Sequence, residues 1–186
     1  MTLSTIDERP ALVIIDLQKG IAALPTVHPF ADVVGNAARL AAAFRAPRGS
    51  VVMVNVAGGA PGRVDATRPA LERPADWIEL IDELEAQDGD YFVTKHTWGA
   101  FHGTTLDQYL HEHDVTQVFL AGVSTSIGVE TTARSAFEHG YNVVLVADAM
   151  TDTDIGAHTN SVERIFPRLG EVTTTADVLA LIAARH

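Results

Sequence analysis

The chain contains no cysteine among its 186 residues. A catalytic thiolate, a disulfide bond and a thiolate-bound metal ion are therefore excluded. Lysine and arginine number 13 against 24 acidic residues, which gives a formal net charge of -11. Because phosphate binding needs a concentrated basic face, we expect no nucleic-acid partner. No apolar run approaches the roughly 18 residues that suggest a membrane span, so we expect no membrane partner.

The N-terminal segment lacks the basic stretch and following apolar run of a signal peptide. We therefore expect a cytoplasmic protein. A content of 47% hydrophobic and 20% charged residues is typical of a compact α/β protein and not of a disordered chain. The length lies in the usual range of one domain, so we interpret residues 1–186 as a single domain.

Short apolar runs alternate with helical patterns along the chain. Five β-branched-rich runs and a weaker sixth predict strands at Ala11–Ile15, Val51–Val56, Tyr91–Thr94, Val118–Ala121, Val143–Ala147 and Glu171–Thr173. Runs that are apolar on both faces are typical of a parallel sheet covered by helices on both sides. Apolar residues at helical spacing predict helices between the runs, with Thr175 as the cap of the last one. The sequence therefore predicts an α/β fold, a three-layer α/β/α sandwich with a six-stranded parallel, Rossmann-like sheet.

Residues 57–76 form the one long irregular stretch, with three glycines and three prolines. The stretch is too long for a simple connection between two elements. It predicts a lid or a binding loop, with a disordered excursion as the alternative.

Polar residues follow three of the predicted strands. Asp16 comes directly after the first strand, Lys95 ends the third, and a turn of small residues, Gly122–Gly128, follows the fourth. In sheets of this kind, ligands bind at the carboxyl ends of the strands, where the strand order reverses. We expect the side chains of Asp16 and Lys95 to lie within hydrogen-bonding or one-water reach. A carboxylate at such a place is either a turn or capping residue or a catalytic acid, and a lysine is either a solvated strand end or part of a site.

In order and spacing, these features resemble the isochorismatase-like hydrolase superfamily. The resemblance is strongest at Val118–Phe137, which is similar to the catalytic turn and the helix after it, and it extends over most of the chain. It implies that Asp16 is the catalytic aspartate and Lys95 the catalytic lysine. Gly128 occupies the position that most members fill with a nucleophilic cysteine.

A glycine at position 128 is the pattern of true isochorismatases, which cleave a vinyl ether with a proton donor and water. The resemblance therefore implies a homo-oligomeric, metal-independent hydrolase without a cofactor. Its substrate would be a small, anionic organic molecule, cleaved by acid catalysis without a covalent intermediate. The resemblance also implies a cis peptide bond between Val123 and Ser124, and a set of substrate-binding residues: Gln18, Trp98, Phe101, His102, Ser124, Ser126 and Ile127.

The chain departs from those isochorismatases at two positions. Thr97 stands where they carry an arginine suited to a carboxylate, and Ser124 where they carry a large aromatic residue. Isochorismate is therefore not assigned as the substrate. Burial would raise the pKa of Asp16 while a nearby Lys95 would lower it, and the sequence does not decide between the two effects. Lys95 would either orient the acid or bind a substrate carboxylate.

Two alternatives remain open at this point. One is a non-catalytic binding or regulatory protein that retains the fold, and the other is an amidase that uses serine or activated water. The turn Gly122–Ser126 differs from the Gly-x-Ser-x-Gly pattern at its last residue, which is serine. Asp148 and His158 follow in the order in which such a Ser–His–Asp enzyme carries its acid and its histidine. The histidine pattern that binds zinc in the related nicotinamidases is missing after the second strand, at Val54–Ala57, so we expect no metal site.

Overall fold

The computed structural model describes residues 3–45, 49–65 and 74–185. Within them lies a six-stranded sheet with the order β3-β2-β1-β4-β5-β6, in which every neighbouring pair is parallel. The strands are β1 (Pro10–Ile15), β2 (Ser50–Val56), β3 (Tyr91–Lys95), β4 (Gln117–Val123), β5 (Asn142–Thr151) and β6 (Gly170–Thr173). The predicted three-layer α/β/α sandwich is thus confirmed.

Helices connect the strands and cover both faces of the sheet. They are α1 (Lys19–Ala22), α2 (Phe30–Phe44), α3 (Leu106–Glu112), α4 (Glu130–Glu138), α5 (Ile155–Asn160) and α6 (Thr175–Ala183). The π-helical turn Thr125–Val129 directly precedes α4, and the π-helical turn Ser161–Ile165 directly follows α5. Short 3₁₀ turns lie at Asp82–Leu84 and Phe166–Arg168.

Alternate residues of β1 enter two separate cores. Val13 and Ile15 pack with α3 and α4 on one face, and Leu12 and Ile14 pack with α2 and α6 on the other. All six residues of β1 are buried. This two-sided burial is the reason why the strands read as continuous apolar runs.

The C-terminal helix begins one residue away from the predicted cap. The Thr174 hydroxyl accepts a hydrogen bond from the Asp177 backbone N–H, so Thr174 is the N-cap and not Thr175. Thr175 is the first helical residue, and its backbone N–H and hydroxyl both donate to Asp148 Oδ1. The prediction was wrong because residues 174 and 175 are both threonines, and which of them caps the helix depends on Asp148, which binds Thr175 and is distant in sequence.

The strand order reverses beside β1. The chain moves from β1 outward to β2 and β3, and then returns to place β4 on the opposite side of β1. The carboxyl ends of β1, β3 and β4 therefore open on one edge of the sheet near this reversal, which is where such folds bind ligands.

Residues 66–73 of the predicted lid or binding loop lie outside the described residues. Across the described ranges, none of the helices has the length and apolar character needed to cross a bilayer.

Candidate active site

Asp16 leaves β1 in an unusual backbone conformation. Its φ is 56°, in the left-handed region, where aspartate is tolerated better than most residues other than glycine. Its backbone N–H donates to the Val54 carbonyl oxygen at 2.8 Å, which keeps the residue attached to β2. Only 6% of Asp16 is exposed. A polar residue held in such a conformation at a strand end is typical of a functional site.

Lys95 is buried together with Asp16. Its Nζ donates to Asp16 Oδ2 at 2.8 Å, to the Trp98 carbonyl oxygen at 2.8 Å and to the Thr97 carbonyl oxygen at 3.3 Å. An ammonium group has three N–H donors, so these contacts use all of them. The expected proximity of Asp16 and Lys95 is confirmed, and Lys95 is not a solvated strand end.

The structure decides the sign of the shift in the pKa of Asp16. Burial raises the pKa of this carboxyl, Lys95 lowers it through its charge and hydrogen bond, and the net result is a pKa of about 6. Oδ2 accepts from Lys95, whereas the buried Oδ1 has no hydrogen-bond partner among the described residues. The site therefore contains an acid that is half protonated near pH 6 and has one oxygen still to be satisfied.

The turn after β4 lies against this carboxyl. The Val123–Ser124 peptide bond is cis, as the resemblance implied. The chain then forms the π-helical turn Thr125–Val129, in which Gly128 is buried. A Cβ atom on Gly128 would lie 3.3 Å from Asp16 Oδ2, so the backbone of this residue directly faces the acid.

An open cavity of about 180 Å³ lies between these elements. Six residues of the predicted site line it: Asp16, Lys95, Trp98, Ser124, Ile127 and Gly128. Trp98 and Ile127 are large apolar residues at its wall that remain 60% and 38% exposed. The cavity thus combines one acid, one paired lysine and a largely uncharged wall.

Four residues predicted to bind substrate are not brought to this cavity. Gln18 is fully buried, and its side chain bonds the backbone of Val56 and the Trp77 carbonyl oxygen. Phe101 packs in the core against the rings of His139 and Tyr141, and His102 is exposed outside the lining.

Ser126, the fourth of these residues, is not part of the cavity lining, and its backbone N–H donates to Oδ2 of Asp152, just after β5, at 2.7 Å. The prediction followed the order of residues in the motifs. The direction of each side chain is set by packing, which the motifs do not encode.

Sequence reasoning missed other lining residues: Ile21, Val56, Gly58, Gly59, Thr97 and Val123. The two glycines belong to the irregular loop that was predicted to be a lid or binding segment, so the described start of this loop does reach the cavity. Thr97 was noted only as a departure from the family pattern. No local signal marks Ile21 or Val56, because their part in the cavity arises from the packing of α1 and β2 against β1.

Comparisons with known proteins identify the family of the chain. The isochorismatase domain family model matches residues 10–177. The chain belongs to the isochorismatase family. It is 42% identical over 185 residues to the isochorismatase family protein YwoC of Bacillus subtilis, with 96% of each chain covered. It is 30% identical to the phenazine biosynthesis protein PhzD of Pseudomonas fluorescens, covering 92% of this chain and 86% of the relative.

A solved structure of an isochorismatase family protein from Burkholderia thailandensis superposes with a TM-score of 0.91. It is 41% identical to this chain, and the match covers 96% of this chain and 98% of the other. Membership of the isochorismatase family makes the protein a hydrolase, whose substrate the comparisons leave open.

The geometry does not build the Ser–His–Asp arrangement that the sequence left open. His158 Nδ1 lies 2.8 Å from the hydroxyl of Thr125, and this contact involves neither Ser124 nor Ser126. Asp148 Oδ1 instead accepts hydrogen bonds from the backbone N–H and the hydroxyl of Thr175 at the start of α6.

Within the described ranges, no three histidine or acidic side chains are grouped closely enough to share a metal ion. Independence of the reaction from metals stays a prediction.

Proposed function

We propose that this isochorismatase-family hydrolase cleaves a vinyl ether in a small organic molecule by acid catalysis from Asp16, without a covalent intermediate. The observation that carries the proposal is the state of the Asp16 carboxyl. It lines the cavity, its Oδ1 has no partner among the described residues, and its pKa is raised to about 6. A carboxyl with a pKa close to the working pH is well suited to donate a proton.

The reaction follows from one proton transfer and one water molecule. Asp16 donates its proton to the vinyl carbon, which leaves an oxocarbenium ion on the substrate. Water adds to this ion and releases a proton that restores the Asp16 carboxyl. The resulting hemiketal then breaks its carbon–oxygen bond to give a carbonyl compound and an alcohol. No step needs a nucleophilic side chain, which is consistent with Gly128 and with the absence of cysteine.

Lys95 acts in this scheme by holding the acid. Its three donors are used by Asp16 and by the carbonyl oxygens of Thr97 and Trp98, so none is left for a substrate carboxylate. Among the described residues that line the cavity, no second cation is available. The expectation of an anionic substrate therefore rests on the family resemblance alone, and the substrate panel must contain both charged and neutral molecules.

The test is a panel of 1-carboxyvinyl ethers, offered as free acids and as methyl esters, with simple amides alongside. Hydrolysis of the free acids releases pyruvate, which a coupled lactate dehydrogenase assay detects, and chromatography follows the other substrates. We expect turnover of at least one ether, with kcat falling as the pH rises through about 6. Asp16→Asn should lower kcat by about 10²–10⁴-fold, because the amide has a similar shape but cannot donate that proton.

Asp88→Asn is the matched control, since Asp88 is an exposed residue outside the lining of the cavity. Equal ether hydrolysis by the wild type and Asp16→Asn would exclude the proposed chemistry. If the wild type turns over no member of the panel, a binding or regulatory role is favoured.

Amide hydrolysis with Ser124 as nucleophile is the second candidate, because Ser124 lines the same cavity. Loss of amide turnover in Ser124→Ala, with Asp16→Asn still active, would establish this candidate in place of the first.

A further inference from the structure

Ser124 and the π-helical turn Thr125–Val129 after it, here called the turn 124–129, form one wall of the cavity and face the Asp16 carboxyl. Val123, Ser124, Ile127 and Gly128 line the cavity on this side. The Gly128 backbone lies so close to Asp16 that a Cβ atom there would be 3.3 Å from Oδ2. A small displacement of this turn would therefore change both the width of the cavity and the exposure of the acid to water.

Two polar contacts hold the turn from behind, on the side away from the cavity. Thr125, which is fully buried, shares a 2.8 Å hydrogen bond with Nδ1 of His158, which is 9% exposed. The Ser126 backbone N–H donates to Asp152 Oδ2 at 2.7 Å, and Asp152 is only 2% exposed. Neither Thr125 nor His158 lines the cavity, so their contact is separate from the substrate site.

The His158 ring is itself fixed from several directions. It packs edge-on against the His28 ring with centroids 4.6 Å apart, and the His28 backbone N–H and Nδ1 both lie within 3.2 Å of the Thr151 hydroxyl. The His158 backbone N–H donates to the Asp154 carbonyl oxygen in the first turn of α5. The Thr125 contact thus ties the turn to the carboxyl end of β5 and to α5.

The surroundings of His158 favour the neutral form of its ring. Burial lowers the pKa of His158, the neighbouring His28 lowers it further, and Asp152 opposes them. A neutral imidazole carries one acceptor nitrogen and one N–H, and the Thr125 hydroxyl is the hydrogen-bond partner of one of these two nitrogens, Nδ1. A buried bond of this kind is costly to break, because both groups then lose their partner without gaining water.

We propose that the Thr125–His158 hydrogen bond is a positioning contact that sets the distance between the turn 124–129 and Asp16. This inference concerns the same site as the proposed function, but its test does not depend on turnover of any substrate. Because the chain has no cysteine, Gly128→Cys introduces a single thiol as a reporter in the turn. Gly128 does not have a left-handed φ, and its nearest neighbours would have to move by only a few tenths of an ångström.

The experiment measures the rate of alkylation of this thiol by iodoacetamide at pH 7 in the folded protein. In the Gly128→Cys parent, the helix N-terminus and Lys95 lower the pKa of the thiol and the neighbouring Asp16 carboxylate opposes them, so the alkylation rate of this parent is the reference for the other variants. Adding Thr125→Val, which removes the hydroxyl and keeps the shape, should slow alkylation at least fivefold. Adding Thr125→Ser, which keeps the hydroxyl, should leave the rate within about twofold of the Gly128→Cys parent.

A control in the opposite core distinguishes an effect on the position of the turn from a loss of stability alone. Val178→Ala in α6 removes buried apolar contacts on the sheet face covered by α2 and α6, and in the same background it should lower the denaturation midpoint without changing alkylation. Equal alkylation rates in the Thr125→Val, Thr125→Ser and Val178→Ala proteins would overturn the proposal. If Thr125→Val does not fold, His158→Leu and His158→Asn repeat the comparison from the other partner. Asn retains a polar atom close to the place of Nδ1, so equal rates in these two variants would overturn the proposal as well.

Discussion

Asp16 combines three properties: burial, a left-handed backbone conformation and a lysine partner on only one of its carboxyl oxygens. Burial opposes ionisation, Lys95 favours it, and burial has the larger effect. Burial therefore keeps the Asp16 carboxyl partly protonated near pH 6, and this carboxyl lines the cavity where a substrate can accept the proton. This is the pattern expected of a catalytic acid, in which the environment adjusts the pKa toward the working pH.

The raised pKa predicts how stability depends on pH. The folded-state pKa of about 6 exceeds the ordinary value of 3.8, so the folded protein binds this proton more tightly than the unfolded chain. The stabilisation that results is fully present below pH 3.8 and is lost as the pH rises through about 6. Relative to Asp16→Asn, the wild type should lose on the order of 3 kcal/mol of unfolding free energy across this interval.

Urea denaturation of both proteins between pH 4 and pH 7 measures this difference. Asn also tolerates the left-handed conformation, so the substitution adds no backbone strain. Asp88→Asn, at an exposed position, should give a curve parallel to the wild type. A curve for Asp16→Asn that is also parallel to the wild type would show that the carboxyl titrates normally in the folded state.

At the scale of elements, the close approach of β1 and β4 places the acid against the turn. Ile15 and Gly122 are paired across these strands, and Gly122 has a φ of 123°. A Cβ atom on Gly122 would fall on the carbonyl oxygen of Ile15, the residue before Asp16. Only glycine lets the two backbones approach so closely while adopting this conformation. The glycine before the cis peptide is therefore part of how the site is assembled.

Gly122→Ala should lower the unfolding free energy by more than about 3 kcal/mol or prevent folding, because both the backbone conformation and the contact are incompatible with a side chain. Gly35→Ala is the matched control. Gly35 lies on the exposed side of α2 with no atom within 4 Å of the added Cβ, and alanine there should stabilise by about 0.5–1 kcal/mol. Chemical denaturation compares the two, and a Gly122→Ala protein as stable as wild type would contradict the assigned backbone.

At the scale of the whole molecule, one sheet is shared by two apolar cores. Alternate residues of each central strand enter opposite cores, so neither core can open without exposing the other side of the same strands. The salt bridge between Arg45, after α2, and the buried Asp90, before β3, adds a polar connection at one edge. The arrangement predicts that residues 1–186 unfold as a single domain.

Differential scanning calorimetry tests this prediction. We expect one transition whose calorimetric and van't Hoff enthalpies agree, as for a small cooperative domain. Two resolved transitions would show that the chain contains separate units. Scans at several protein concentrations also test the expectation of a homo-oligomer, because the midpoint of an oligomer rises with concentration.

The sequence alone determined the fold and the approximate position of the site. Continuous β-branched runs can be buried on both faces only in a covered parallel sheet, and the carboxyl ends of such strands converge. These two rules were sufficient to predict the six strands and the contact between Asp16 and Lys95. The absence of cysteine excluded a thiolate mechanism without any structure.

Tertiary structure decided everything that depends on distances between elements far apart in sequence. It set the balance between burial and Lys95 at Asp16, and it used all three donors of the lysine within the protein. It turned Phe101 into the core, left Trp98 at the cavity and paired His158 with Thr125. The physical reason is that local patterns encode whether a residue is apolar and where a strand ends. The pKa of a group and the direction of a side chain depend on neighbours that only the packed chain brings together.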